Sequence, residues 1–246
     1  MMETNSRLVV CVAAAVLLTA CGGSGSSSGS QPAPVVNADP QGFWQGTDTN
    51  GRAVAALVLE TGQYFAVYST NSSVGGMVEG TLTVSGNAVS DNSAIDFVVG
   101  APAVNATVTG TATTKQLLAV KVSEPSQSVS FTGTYNATYD SSPSSTAAVG
   151  TWTGSAAGGA AVTSITVAAD NSFTGTSETC TFSGSVAPRA SGKNVFDGNV
   201  TFNNASCQLG AGTKIGFEAV IANNQMVAAG VNPSRTAGFV FLGTRG

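Results

Sequence analysis

A five-residue motif that is repeated in both halves of the chain constrains the fold more than any other feature. Residues 42–46 read GFWQG and residues 150–154 read GTWTG. Four more pairs of segments match in the same order along the two halves, namely residues 60–64 with 169–173, 79–81 with 183–185, 116–120 with 225–229, and 131–134 with 241–244. Ordered self-similarity of this kind predicts two copies of one structural unit, each about 100 residues long.

Both units read as series of short strands. Apolar and polar residues alternate in several segments, for example residues 66–68, 82–84 and 165–167, with turn residues between them. Charged residues make up 9% of the chain, and the abundance of Thr, Ser, Gly, Ala and Val favours strands and turns over helices. About eight strands fit in each unit, and a meander of that size can close on itself so that no edge strand is exposed.

The predicted fold class is therefore all-β, with two tandem antiparallel meander units that form small closed barrels. The first unit covers residues 40–139 and the second covers residues 149–246. A serine-rich linker at residues 140–148 joins them.

The N-terminal segment has the layout of an export signal. Residues 8–20 are apolar or small and follow Arg7. This run of about 13 residues is shorter than the roughly 20 that a membrane-spanning helix needs, so we expect cleavage. The sequence LTAC at residues 18–21 resembles the lipobox of bacterial lipoproteins, in which the cysteine is lipidated and becomes the first residue of the mature chain. The resemblance implies a lipoprotein signal peptide at residues 1–20 and a lipid on Cys21.

The residues after the lipobox indicate where such a protein is retained. Lipoproteins stay in the inner membrane mainly through an aspartate after the cysteine, whereas Gly22 follows it here. The resemblance therefore implies an outer-membrane lipoprotein on the periplasmic or cell-surface side, with the membrane as partner through acyl chains such as palmitate. Residues 21–39 are rich in Gly, Ser, Gln and Pro and are expected to form the lipidated cysteine with a flexible tether.

The paired motifs also resemble two kinds of barrel protein. A first strand with Gly-x-Trp before a meander is similar to the avidin and lipocalin barrels, where the tryptophan closes one end. Two such units behind a lipid resemble the two-lobed surface lipoproteins that bind transferrin or complement factor H, whose barrels end in an aromatic-Gly-basic strand. Residues 239–245, FVFLGTR, fit that ending, whereas residues 131–135, FTGTY, lack the basic residue. Trp44 and Trp152 are either barrel plugs or ligand platforms.

Side chains that many catalytic sites need are missing. The chain contains no histidine, which excludes Ser-His and Cys-His nucleophile systems and the usual zinc ligands. We predict no catalytic residues, no metal site and no cofactor. The net charge of −4 argues against a nucleic-acid partner.

Four carboxylates and three cations are candidate site residues. Glu79, Asp96, Glu178 and Glu218 lie in strand-like segments and either converge inside or at the mouth of a barrel or lie on solvated strand faces. Nothing in the sequence pairs any two of them. The cations are interpreted as solvated rather than as a docking patch and are Arg189, Lys193 and Arg235.

Two cysteines remain after export and lipidation. Cys11 leaves with the leader and Cys21 carries lipid, which leaves Cys180 and Cys207 in an oxidising compartment. We predict a disulfide between them. Since the first unit has no counterpart, we expect it to be the less stable one unless its larger aromatic content compensates.

These features predict a non-enzymatic binding or adhesion protein. Two alternatives stay open: a carrier or sensor of a small hydrophobic ligand in a barrel interior, and a structural envelope lipoprotein. An apolar cavity of a few hundred cubic ångströms would favour the carrier. A large exposed apolar patch would favour a protein partner, and a filled interior without one would favour the structural role.

Overall fold

A computed structural model of the 246-residue chain describes residues 36–71, 73–156 and 162–246. The predicted signal peptide, Cys21 and the tether up to residue 35 lie outside these ranges. The described residues form seventeen strands and one short 3-10 helix, Ala137–Asp140.

The strands of the first unit are β1 (Gly42–Asp48), β2 (Ala53–Val58), β3 (Gln63–Thr70), β4 (Ser73–Thr81), β5 (Thr83–Ser85), β6 (Ala88–Val98), β7 (Val104–Thr113), β8 (Leu117–Ser123) and β9 (Ser128–Tyr135). Those of the second unit are β10 (Gly150–Ala156), β11 (Val162–Val167), β12 (Ser172–Ser177), β13 (Cys180–Pro188), β14 (Phe196–Phe202), β15 (Lys214–Ala222), β16 (Gln225–Val231) and β17 (Gly238–Arg245).

Each unit is a closed barrel of eight antiparallel strands, which confirms the predicted fold class. In the first barrel, β1 to β4 and β6 to β9 follow one another, and the pairings of β4 with β6 and of β9 with β1 close the ring. β5 is a short extra strand on β6. In the second barrel, β10 to β17 follow one another and β17 pairs with β10.

The repeated glycines lie where neighbouring strands approach too closely for a side chain. Gly46 on β1 faces Gly133 on β9. A Cβ atom on Gly46 would lie 2.1 Å from the Thr132 carbonyl oxygen, and one on Gly133 would lie 2.4 Å from the Phe131 ring. The second barrel repeats these contacts with Gly154, Gly243, Leu242 and Phe241. The motif is repeated because both barrels close through the same contact.

The last residues assigned to the tether pack on the first barrel. The Ala38 amide donates to the Gly86 carbonyl at 2.7 Å, and the Asp39 amide donates to the Thr114 hydroxyl at 2.8 Å. The composition of residues 21–39 predicts a flexible segment, but these hydrogen bonds fix Ala38 and Asp39 beside the turns that precede β6 and β8.

Two apolar clusters join the outer faces of the barrels. One contains Phe43, Leu57, Leu59, Tyr139, Val195 and Val220. The other contains Phe65, Val67, Val74, Met77, Ala229 and Val240. The alternation expected at residues 66–68 is replaced by burial on both faces of β3, because one face lines the barrel and the other packs on the second barrel.

The three cations interpreted as solvated are ion-paired at this junction, so that interpretation is wrong. Arg189 lies 2.8 Å from Glu60 of the first barrel, and Arg235 lies 2.7 Å from Glu79. Lys193 lies 2.9 Å from Asp140 of the 3-10 helix. Hydrogen bonds from Lys193 and then from Lys115, which also lies 2.9 Å from Asp140, lower the pKa of Asp140 to about 2.

The missing disulfide predicts a less stable first barrel, but the two barrels share two apolar clusters, so we now expect them to unfold together. The chain has two tryptophans, one in each barrel, so Trp152→Phe leaves a probe of the first barrel and Trp44→Phe a probe of the second. For each variant, the urea midpoint measured by fluorescence should equal the urea midpoint measured by circular dichroism. Fluorescence and circular dichroism midpoints that separate within one variant would contradict a shared core.

Candidate functional site

The interior of the first barrel contains a cavity of about 60 Å³. Its wall is largely aliphatic, with Val54, Val78, Val108 and Leu118 among the inward-facing residues. Ala56 on β2 pairs directly with Ala66 on β3, and both line the cavity. Two opposed methyl groups at one level of the barrel leave space that larger side chains would fill.

The second barrel is filled where the first is hollow. Its interior space is about 20 Å³, little more than the 10–15 Å³ that one water-sized group occupies. In the second barrel, the positions of Ala56 and Ala66 are occupied by Ile165 and Gly175, which also pair with each other. The Phe182 ring covers Gly175. Five phenylalanine rings pack with centroids 5.8 to 6.3 Å apart, namely Phe173, Phe182, Phe202, Phe217 and Phe239.

The cavity of the first barrel opens at the end opposite Trp44. Trp44 lies at the start of β1, whereas Asp48 at the end of β1 lines the cavity. Val122 and Val129 also line it and are half-buried, so the apolar wall reaches solvent there. The polar side chains that line this end are Asp48, Arg52, Tyr68, Asp96 and Glu124.

Four of these side chains form a connected series across the mouth. Arg52 Nε donates to Asp48 Oδ2 at 2.6 Å. The Arg52 guanidinium carbon lies 3.9 Å from the centroid of the Tyr68 ring, a cation–π contact. The Tyr68 hydroxyl donates to Asp96 Oδ1 at 2.8 Å. The series links β1, β3 and β6 and holds Asp96 in place.

Asp96 is a buried acid with an altered proton affinity. It is 4% exposed, and burial raises its pKa to about 7. The hydrogen bond from Tyr68 opposes this shift, while the neighbouring Glu124 carboxyl adds to it. Burial followed by the charge of Asp96 raises the pKa of Tyr68, so its hydroxyl remains a donor at neutral pH.

The four candidate carboxylates do not converge on one site. Asp96 lines the cavity, whereas Glu79 pairs with Arg235 between the barrels. Glu218 lies near Arg189, and burial raises its pKa to about 7. Glu178 is exposed in the turn between β12 and β13. In the part of the chain that the structure describes, no group of three or more His, Cys, Asp or Glu residues is arranged to hold a metal ion.

Trp44 and Trp152 occupy the same position in their barrels. Both are fully buried. Trp44 Nε1 donates to the Pro40 carbonyl at 2.9 Å, and Trp152 Nε1 donates to the Ala148 carbonyl at 2.8 Å. The described residues that line the two interior spaces include neither indole. Each ring thus fills a barrel end beneath the interior space.

The basic residue that the first unit lacks at its end is replaced by a tyrosine. Tyr135 on β9 pairs with Trp44, and Arg245 on β17 pairs with Trp152. The Tyr135 ring meets the Trp44 ring edge-on at 5.2 Å, and the Arg245 guanidinium lies 4.4 Å from the Trp152 ring. An aromatic edge and a cation serve the same packing role against the indole.

Cys180 and Cys207 form the predicted disulfide, with an S–S distance of 2.09 Å. The bond links the start of β13 to the loop after β14. The lipidation predicted at Cys21 lies outside the described residues.

Sequence reasoning missed Arg52, Tyr68 and Glu124 at the mouth. A signal for this end of the barrel was available on β1. Since side chains alternate along a strand, a buried Trp44 places Asp48 on the same inward face at the far end. The turn after Asp48, which carries Arg52, therefore borders the open end.

Comparisons of the chain with family models, with curated proteins and with solved structures give no match. Among the described residues there is no helix with the length and apolarity needed to cross a membrane.

Proposed function

We propose that this protein binds a small apolar ligand inside its first barrel and that its second barrel is a filled structural module. The difference between two interiors of one repeated fold carries this proposal. One is a cavity of about 60 Å³ with an aliphatic wall and an open end, and the other retains about 20 Å³ between phenylalanine rings. Close packing is the rule in protein interiors, so the larger space in the first barrel is the feature that distinguishes the two units.

The proposal includes a lipid anchor at the outer membrane. The lipobox-like LTAC at residues 18–21 and the glycine after it support lipidation of Cys21. Anchored there, the barrel meets its ligand on the periplasmic or cell-surface face. The absence of histidine from the chain supports a role in binding rather than catalysis.

The alternative of a docking surface for a protein has less support. In the described ranges, the large apolar side chains that are exposed are Val36, Leu117 and Val162. They are three single residues, before β1, on β8 and on β11, and apolar residues that are exposed singly are normal on a protein surface. The cavity of about 60 Å³ is below the few hundred cubic ångströms set out above for a carrier, so the proposal is restricted to a small, slender ligand.

Filling the cavity should weaken binding strongly. Ala66→Leu adds three carbon atoms to the wall, and we expect 1-hexanol to bind this variant at least tenfold more weakly than the unchanged protein in calorimetric titration. Ala119→Leu is the matched control, because Ala119 is a half-buried alanine on β8 next to the inward-facing Leu118 and points away from the interior. Equal affinity in both variants, or no binding of 1-hexanol to the unchanged protein, would refute the proposal.

A further inference from the structure

We propose that the ligand of the first barrel carries a cationic amino group on a short aliphatic chain, and that Asp96 and Glu124 receive this group at the mouth. The inference rests on the proposed function and adds the chemistry of the head group. It starts from the charges that the described residues place around the opening.

The acid on β1 already has its cation. Asp48 Oδ2 accepts from Arg52 Nε at 2.6 Å, and Asp48 Oδ1 accepts from the backbone amides of Asn50 and Arg52, both at 2.9 Å. The remainder of the Arg52 guanidinium lies over the Tyr68 ring. Arg52 is therefore engaged on β1 and β3 and its charge is matched by Asp48.

Among the described residues, the other two acids have no cation in direct contact, although the charge of Arg52 acts on Asp96 from a distance. In the described part of the chain, Asp96 and Glu124 form no ion pair. Asp96 accepts from the Tyr68 hydroxyl and, when protonated, hydrogen-bonds to the Glu124 carboxyl. Glu124 also accepts from the Gln127 side-chain amide at 3.0 Å. Two neighbouring carboxyls, one of them buried, stand at the opening of an aliphatic cavity.

Buried carboxyls that lack a cation retain a proton instead. The titratable and charged groups that face Asp96 are Tyr68 from β3, Glu124 from the end of β8 and Arg52 from the turn after β1. Burial raises the pKa of Asp96 to about 7, so without a ligand this carboxyl is largely neutral below that pH. An ammonium group supplies the missing charge and three N–H donors, and it can replace the proton.

The shape of the site orients such a ligand. The cavity of about 60 Å³ is well above the roughly 10–15 Å³ that a cavity needs to hold one water, so it admits part of a slender chain and no bulky group. An aliphatic tail fits between the valine, alanine and leucine side chains. The ammonium stays at the mouth, because transfer of an unpaired charge into the apolar interior is unfavourable. The class of ligand is therefore a short primary alkylamine.

Three probes of equal length test the head group by calorimetric titration. At pH 8 we expect n-hexylamine to bind at least tenfold more tightly than 1-hexanol, and hexanoate more weakly than 1-hexanol. Below pH 7 the amine must expel the proton of Asp96, so its affinity should fall between pH 8 and pH 5.5. The affinity for 1-hexanol should change little. Titrations in buffers of different ionisation enthalpy should show proton release when the amine binds near pH 6.5.

Two variants, each of which converts one buried acid to its amide, test whether Asp96 in particular determines the preference for the amine. Asp96→Asn can keep the hydrogen bond from Tyr68, and it should bind n-hexylamine and 1-hexanol within about twofold of each other. Glu218→Gln removes another acid whose pKa burial raises to about 7, but Glu218 lies near Arg189 and away from the cavity lining. This variant should retain the preference for the amine.

The outcomes distinguish this inference from the proposed function. Binding of 1-hexanol that Ala66→Leu blocks, without any advantage for n-hexylamine, would overturn the head-group assignment and leave the binding function intact. Tighter binding of hexanoate would also overturn it and would assign the head group to Arg52. Failure of all three probes to bind would overturn both.

Discussion

Replacing Trp152 by alanine is expected to lower the free energy of unfolding by about 3–5 kcal/mol, and Trp44→Ala should cost a similar amount. Each indole is fully buried at a barrel end, so its removal leaves a large cavity between strands that cannot close over it. Each variant also leaves a carbonyl group, at Ala148 or Pro40, without its donor. Since small proteins are stable by about 5–15 kcal/mol, either change removes a large part of the total. Urea unfolding followed by circular dichroism measures the loss.

Phenylalanine at the same positions separates packing from hydrogen bonding. Trp44→Phe and Trp152→Phe keep an aromatic ring and lose the N–H donor, so we expect them to cost about 1–2 kcal/mol. Alanine variants that cost no more than the phenylalanine variants would contradict a packing role for the rings. Trp44→Phe should also leave the affinity for 1-hexanol unchanged, because Trp44 does not line the cavity. A weakened affinity would make the indole a ligand platform.

The fold was predictable because its main constraints are local and are repeated. The strand at residues 42–48 contains both the glycine that allows close approach to β9 and the tryptophan that fills the barrel end. The same pair recurs at Trp152 and Gly154. A short meander with tight turns can bury one apolar face by closing, so strand count and topology follow from such patterns.

The size of the interior was not predictable, because it depends on which residues face one another across strands. Ala56 and Ala66 are ten positions apart in sequence and are paired in space. Their counterparts in the second barrel are Ile165 and Gly175, and Phe182 from a third strand covers the glycine. No single segment indicates whether the space between two small residues will be filled by a ring from elsewhere.

The sequence contains a signal for the junction between the barrels but none for the contacts at the mouth. Tyr68 and Asp96 come from β3 and β6, and their hydrogen bond depends on a register that composition does not determine. The junction had a readable signal at residues 64–68, YFAVY, since a continuous apolar run is typical of a strand that is buried on both faces. The ion pair between Arg235 and Glu79 borders this junction, and its contribution to the free energy of unfolding can be measured by substitution.

Removing the cation of the pair between the barrels should be more costly than removing the acid. Arg235→Met leaves the Glu79 carboxylate, whose side chain is 5% exposed, without its partner at 2.7 Å. A fully buried pair broken in this way loses about 3–5 kcal/mol. The Arg235 side chain is 32% exposed, so water can compensate in part and we expect about 2–3 kcal/mol from urea unfolding.

Glu79→Gln tests whether loss of the acid costs less than loss of the cation. It leaves no buried carboxylate, and Arg235 keeps the backbone carbonyl groups of residue 79 and Ser93 as acceptors. We expect this variant to lose about 1 kcal/mol. The double variant should be more stable than Arg235→Met alone, since the uncompensated carboxylate is gone. Lys115→Met is the control, because Lys115 is exposed beside Asp140 and such pairs contribute less than about 1 kcal/mol. A loss for Arg235→Met no larger than that of the control would show that Glu79 needs no cation at the junction.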